Sequence, residues 1–333
     1  MRALLLEQYH DDLAAAIASL KVVERPRPVP KPGQVLVRVE AAPCNPSDLL
    51  LLQGKYSLKT LPTVPGWEGA DTVVESGGGW LAWWLKGKRV ACALQDDRDG
   101  TWAEYVVADA MQCIPLRKDL PIEQGASLIV NPLTAVALLE TARRGGHPAA
   151  IHTAGASQLG RMMLALAADA GYPLINIVRR KEQVELLRSL GAQHVLNCTD
   201  DNFAAQLQAT CQRLKATIAF EAVAGDLTGV VLGAMPHSST VYLYGALSES
   251  PCGSINPIEV IFHGKVLRGF FLGAWVRQRG PLGVLRAARR VQKLLAEGRI
   301  ATHFQRRLTL DEAVDGLQQY VTHMTDGKVL FTP

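Results

Sequence analysis

From about Pro121 onward the chain alternates short apolar runs with amphipathic stretches that end in glycine, and no other feature constrains the fold as tightly. "PAAIHTAGA" reads as a buried strand and turn, and "GRMMLALAADAG" as a helix closed by Gly171. "PLINIVR" is the next strand, and "KEQVELLRSLGA" the next helix, again stopped by glycine. "HVLN", "ATIAFEAV" and "TVYLYGAL" continue the series. Such alternation implies right-handed crossovers and a parallel sheet with helices on both faces. Near Phe271 the pattern breaks. A helix from about Pro281 to Gly298 follows, then "FQRRLTL", a helix from Asp311 and a terminal strand, "KVLFTP". The region before Pro121 is β-rich instead: "QVLVRVEAAP" and "TWAEYVVA" alternate as strands do. "ERPRPVPKPG", Glu24 to Gly33 before them, reads as an exposed loop rather than a domain linker.

The turn "IHTAGASQLGRMM" sits where a buried strand hands over to a helix. Gly155 and Gly160 fill the first and third positions of G-x-G-x-x-G, and Ser157 takes the middle one. In that motif the glycines allow a tight turn, close approach of a pyrophosphate and close helix–strand packing. The phosphate then rests on the positive end of the helix. A serine is tolerable there if its hydroxyl contacts the ligand. A glycine-rich turn can also serve packing alone, but the strand before it and the helix after it favour a dinucleotide site. The next strand ends in Arg179, Arg180 and Lys181, where an NAD site would carry an acid for the ribose hydroxyls. Three cations there suit a 2′-phosphate, for which arginine offers forked hydrogen bonds. A solvated helix start is the alternative, yet cations at a helix N-terminus oppose its dipole. NADPH is the expected cofactor.

Composition narrows the remaining classes. The 333 residues leave room for two domains, and 48% hydrophobic residues supply a sizeable core. A net charge of +4 without a dense basic cluster argues against a nucleic-acid partner. "RAARRVQK" has helical spacing and reads as a solvated face. No apolar run reaches the ~18 residues of a membrane span, so no membrane partner is expected. The N-terminus lacks the apolar core of a signal peptide, which points to a cytoplasmic protein. The six cysteines contain no C-x-x-C pair and read as buried thiols, without disulfides or a structural zinc.

"RVEAAPCNPSD", "PGWEGA", "KRVACAL", "GTWAEY" and "RSLGAQHVLN" occur in the order found in the medium-chain dehydrogenase/reductase superfamily, which the chain resembles over nearly its full length. The resemblance implies an α/β protein: a GroES-like, β-rich catalytic domain and a Rossmann domain with a doubly wound parallel sheet. Residues 1–119 would form the first part of the catalytic domain, 120–271 the NADPH-binding domain, and 272–333 the return to the catalytic domain. Zinc alcohol dehydrogenases of this superfamily hold their catalytic metal with a cysteine, a histidine and a second cysteine. The corresponding positions here carry Asn45, Trp67 and Asn131, with Cys44 one residue off. None of the three is a good zinc ligand. The four-cysteine lobe is also missing, since only Cys92 and Cys113 fall in its region. No metal is expected.

Within the superfamily, the chain most resembles the mitochondrial-type trans-2-enoyl thioester reductases. "NPSD" followed by "QG-x-Y" appears as Asn45–Asp48 and Gln53–Tyr56, "VNP-x-TA" as Val130–Ala135, and "LRGF-x-L" as Leu267–Leu272 with Trp275 beyond. The resemblance implies Asn131 near the nicotinamide and Ala156, Ser157, Gln158 and Leu159 at the pyrophosphate. It puts Arg179, Arg180 and Lys181 at the 2′-phosphate. Tyr244, Gly245, Ala246 and Leu247, then Phe270, Phe271 and Leu272, and finally Lys328 complete the cofactor pocket. The chain departs from the pattern at Trp67, which could narrow the substrate entrance, and at Ala246, where a glycine is usual. Quinone oxidoreductases of the superfamily also keep a tyrosine near Tyr56, so the substrate stays open between the two.

Reducing an enoyl thioester takes a hydride at the β-carbon, stabilisation of charge on the thioester oxygen, and a proton at the α-carbon. NADPH would bring the hydride, and the protein orientation and electrostatics. A phenol of pKa ~10 is acid enough for a strongly basic enolate. Tyr56 is therefore the expected proton donor, although a tyrosine covering the edge of the β-rich domain would look the same in sequence. Asp48 is expected to fix the "NPSD" backbone. The function expected is zinc-independent, NADPH-dependent reduction of activated C=C bonds, with a small-molecule or acyl-thioester substrate (CoA or ACP). An NADPH:quinone oxidoreductase is the alternative, and a non-catalytic NADPH-binding protein the alternative from another class. A homodimer formed through edge strands of the Rossmann sheets is also expected, with "TVYLYGAL" near that edge.

Overall fold

The computed structural model describes residues 1–56, 59–94 and 97–333. Two compact units share the chain: Met1–Leu133 with Arg279–Pro333, and Thr134–Gln278.

The second unit is built on a six-stranded sheet in which every neighbouring pair is parallel. Across the sheet the strands run His194–Asn197, Leu174–Val178, Ala149–His152, Ala216–Glu221, Thr240–Leu243 and Val266–Gly269. In sequence rank this is the 3-2-1-4-5-6 order of a doubly wound nucleotide-binding sheet. The order reverses between Ala149–His152 and Ala216–Glu221, and ligands of such sheets bind outside the strand ends at that point. Leu174–Val178 is buried along its whole length, as a strand covered on both faces must be. Ile151, Ile175, Ile177, Ala219 and Val241 form the inner core with Phe203 and Leu207 of the helix Phe203–Leu214. The edge strand Val266–Gly269 is exposed throughout.

The first unit is antiparallel apart from one parallel pair, Phe304–Leu308 with Lys328–Phe331. Its five-stranded sheet runs Tyr105–Asp109, Gln34–Arg38, Glu68–Ser76, Arg89–Ala93, Cys113–Pro115. A three-stranded sheet joins Ala42–Pro43 to the late strands Phe304–Leu308 and Lys328–Phe331. Phe331 thereby enters the main core against Trp102, with ring centroids 4.7 Å apart. The helical stretch Leu272–Ala296 is broken at Gly280, whose φ of 69° and ψ of 167° are not helical. Pro281 then opens the next helix, where its missing N–H and fixed φ cost nothing. The expected helix start at Pro281 thus coincides with the return to the first unit. No helix among the described residues is long and apolar enough to cross a membrane.

Candidate active site

In the first unit the site grows from the helix Pro46–Leu52 and from the start of the strand Glu68–Ser76. Pro46 opens the helix, and Asp48 closes a capping interaction by accepting from Asn45 N at 2.7 Å. Its second oxygen accepts from Trp67 N at 2.9 Å. Asp48 therefore ties the helix start to the turn before the strand, the backbone role expected for it. Burial raises its carboxyl to about 7, against the two backbone donors. Glu68 is fully buried and accepts from Asn45 Nδ2 at 3.1 Å, Ile129 N at 3.1 Å and Val130 N at 2.8 Å. The last two bonds hold the π-helical turn Ile129–Leu133, so Glu68 fixes the backbone that carries Asn131. Lys328, itself buried, donates from Nζ to Asn45 Oδ1 and lies 3.9 Å from Glu68. Burial lowers the Lys328 ammonium and raises the Glu68 carboxyl, while each opposes the other's shift. Lys328 was expected among the cofactor residues. An ammonium has three donors, so its commitment to Asn45 is compatible with such a contact.

The three positions of the missing metal ligands thus surround a hydrogen-bonded cluster. Asn45 is engaged through both ends of its amide, Trp67 is 3% exposed, and Asn131 is 9% exposed. Cys44 is buried, and burial pushes its thiol well above the usual range, which removes it as a thiolate. Among the described residues no group of His, Cys, Asp and Glu could hold a metal ion.

Tyr56 follows the helix by four residues and meets Trp67 edge to face, with centroids 5.4 Å apart and an interplanar angle of 62°. It is 38% exposed, so one side of the ring packs on the indole while the rest faces outward. Burial first, then the charge of Asp48, raises the phenol above its ordinary value and keeps it protonated at neutral pH. Lys59 Nζ lies 4.9 Å from the centroid of the same indole.

The second unit holds most of the residues expected at the cofactor. Ser157 caps the helix Gln158–Asp169, its Oγ accepting from Gly160 N at 3.0 Å. The hydroxyl can still donate to a phosphate. No acid occupies the first turn, so nothing intrinsic neutralises the positive helix end. A Cβ on Gly160 would lie 2.2 Å from Gly155 O, which explains glycine at this position. Ala156, Gln158 and Leu159 are buried beneath the turn. Arg179, Arg180 and Lys181 are exposed and line an open pocket of about 730 Å³ with Asn197 and Thr199. Glu182, Asp200, Asp201 and Asn202 complete its wall. Tyr244 donates or accepts at 2.8 Å with His152 Nε2. Burial lowers His152 to about 3, so the ring is neutral. Gly245 packs against Ala222, where a Cβ would come 2.8 Å from the carbonyl oxygen. Ala246, Leu247 and Phe271 are exposed, Phe270 is half-buried and Leu272 is buried. Arg179, Arg180 and Lys181 can pair with an additional phosphate, although Glu182, Asp200 and Asp201 balance their charge in the same wall, and the helix start at Ser157 can take a pyrophosphate.

Several residues of this framework escaped sequence reasoning. Glu221 ends its strand and accepts from Val223 N, Ala224 N, Thr153 Oγ1 and Thr228 Oγ1, pinning the loop at the switch point. Glu68 plays the matching part in the first unit. Their one sequence signal is an acid set within an otherwise small or apolar run, "GWEGA" and "AFEAVA".

Residues 31–118 match the family described as alcohol dehydrogenase GroES-like domain, and residues 159–287 that described as zinc-binding dehydrogenase. The chain is 29% identical over 322 residues to the mitochondrial enoyl-[acyl-carrier-protein] reductase of Xenopus tropicalis, a match covering 90% of this chain and 87% of that protein. Identity to the Homo sapiens protein of the same description is 30% over 257 residues, covering 75% and 67%. A crystal structure from Mesorhizobium loti, of a protein assigned as an NADPH:quinone reductase, is 36% identical. It superposes with a TM-score of 0.93 and covers 100% of this chain and 98% of that one. The chain belongs to the medium-chain dehydrogenase/reductase superfamily. It is an oxidoreductase, with the GroES-like and Rossmann folds expected from its sequence.

Proposed function

We propose that this protein is a zinc-independent, NADPH-dependent reductase of activated C=C bonds, acting on trans-2-enoyl thioesters of CoA or acyl carrier protein. The observation that carries this reading is Tyr56: a phenol kept protonated, half-open to solvent and braced by Trp67. NADPH, when bound, supplies the hydride for the β-carbon. Ser157 and the start of the helix Gln158–Asp169 hold the pyrophosphate, with Ala156, Gln158 and Leu159 shaping the turn. Asn131 orients the nicotinamide end, and Glu68 keeps Asn131 in place through the Ile129 and Val130 amides. Tyr244–Leu247 and Phe270–Leu272 are assigned to the cofactor as well, and so, in the first unit, is Lys328. Tyr56 protonates the α-carbon as negative charge moves onto the substrate. Turnover of crotonyl-CoA beside a quinone tests the reading. NADPH oxidation with the quinone alone would favour the second reading, a quinone oxidoreductase, which the Mesorhizobium loti relative supports.

The 2′-phosphate is assigned to Arg179, Arg180 and Lys181. Replacing both arginines with alanine is expected to raise KM for NADPH by at least about ten-fold, since charge-assisted hydrogen bonds contribute roughly 1.5–3 kcal/mol each before solvent screening. KM for NADH should hardly move. Equal losses for the two cofactors would refute the clamp.

Independence from zinc rests on Asn45, whose amide is spent on Glu68 and Lys328. Activity is expected to survive exhaustive chelation, and about one tightly held zinc per chain would overturn this. A cytoplasmic location is part of the same reading, supported by six cysteines that are all free thiols.

A homodimer is proposed through Val266–Gly269. This strand is the sheet edge, one place beyond Thr240–Leu243, and its backbone is open to pairing. Leu267 is 36% exposed there and Phe262 nearby 71%. Light scattering at micromolar concentration should give twice 36.1 kDa; a monomer would end the idea.

A further inference from the structure

Between the strands Glu68–Ser76 and Arg89–Ala93 lies a six-residue helix, Trp80–Leu85, whose polarity is inverted. Ala82 and Leu85 point into the core of the first unit, 1% and 0% exposed. The outward face, normally polar, carries Trp80, Trp83 and Trp84 at spacings i, i+3 and i+4, which share one side of a helix. They are 79%, 71% and 46% exposed. The helix lies against the turn Ala110–Gln112, where Met111 adds another exposed apolar side chain. The base is rigid. Gly77 N donates to Gln34 O and Gly33 N to Gly78 O, both at 2.9 Å, and a Cβ on Gly77 would come 2.1 Å from Lys31 O.

The surroundings are cationic. Lys86 and Lys88 follow the helix directly, Lys88 Nζ lies 2.9 Å from the centroid of the Trp84 ring, and Lys31 stands at the base. Residues 77–94 contain no Asp or Glu, and Glu75 just before them is paired with Arg27.

We propose that this helix docks the protein onto an anionic lipid bilayer, with the indoles at headgroup depth and Lys31, Lys86 and Lys88 over anionic headgroups. Tryptophan concentrates at membrane interfaces because its ring is apolar and its N–H polar. Basic residues beside it are attracted to the negative surface potential of such a membrane. Side chains standing this far out suit a deformable interface, whereas protein hot spots of tryptophan pack into pockets. A second copy fits poorly, since two-fold pairing would set the same lysines against each other. The absence of a spanning segment, on which no membrane partner was expected, does not bear on surface docking, which needs none. The end of the helix leads back to Val73, whose backbone pairs with Gly87 and Lys88, five residues or about 17 Å along the strand from buried Glu68. The docking face is therefore a tether, distinct from the region of Tyr56.

Full-length protein should co-sediment with vesicles of phosphatidylcholine containing one-third phosphatidylglycerol at low salt, with a blue-shifted tryptophan emission. W80S/W83S/W84S should lower partitioning at least about ten-fold, because binding scales with the apolar area inserted. K86Q/K88Q should lose about 25-fold on anionic vesicles and distinguish them far less from neutral ones, since each cation near such a surface contributes about five-fold. Both variants should match the parent in thermal unfolding and in NADPH oxidation without vesicles. No binding to anionic vesicles, or undiminished binding by the tryptophan variant, would overturn the proposal. So would a fall in solution mass of that variant without vesicle binding by the parent, which would give the helix to a second copy.

Discussion

Tyr56→Phe is expected to lower kcat with an enoyl thioester by roughly 10²–10⁴, the usual contribution of a positioned acid. The fold and the affinity for NADPH should persist, because the ring keeps its edge-to-face contact with Trp67 and a single hydroxyl is lost. With a quinone the fall should be much smaller, since reduced oxygens take protons from water. That contrast distinguishes a donor from a structural tyrosine, whose loss would act on both substrates alike. An unchanged enoyl rate would remove Tyr56 from the chemistry.

Lys328→Met is expected to destabilise the first unit by about 3–5 kcal/mol, the cost of leaving a buried carboxylate without its cation. Glu68 has no exposure to solvent through which water could replace the ammonium. Adding Glu68→Gln should recover most of the loss, because the remaining groups are neutral and the amide oxygen still accepts from the Ile129 and Val130 amides. Denaturant titrations of the two single variants and the double variant provide the coupling. A loss below about 1 kcal/mol in the single variant would mean that Lys328 is not ionised beside Glu68.

The parallel sheet was legible because its signal is local. Each strand is a short apolar run and each helix is closed by a turn residue, as with Gly171 and Gly191. The fingerprint turn was legible for the same reason: Gly155, Ser157 and Gly160 lie within six residues. Val266–Gly269 carried no such signal. An edge strand exposed throughout has neither alternation nor a continuous apolar run. Trp80–Leu85 was hidden by its inversion, since three tryptophans in six residues read as core material rather than surface. The cluster around Glu68 was out of reach for another reason. Its members are ordinary residues, and Asn45 and Lys328 are separated by 283 positions. Only the resemblance to a family singled out Lys328, and it gave no hint of the partner in the first unit.

That separation bears on how the protein comes into being. While the polypeptide is being synthesised, residues 1–133 emerge with Asn45, Asp48 and Glu68 already present. The buried cation beside them, Lys328, arrives only after the whole of Thr134–Gln278 has been made. The later-made unit is contiguous and holds every strand of its own sheet, so it can finish folding as soon as it is clear of the ribosome. The earlier-made unit must wait with two buried-to-be carboxyls and a core that lacks Phe331. Order of birth and order of completion are reversed.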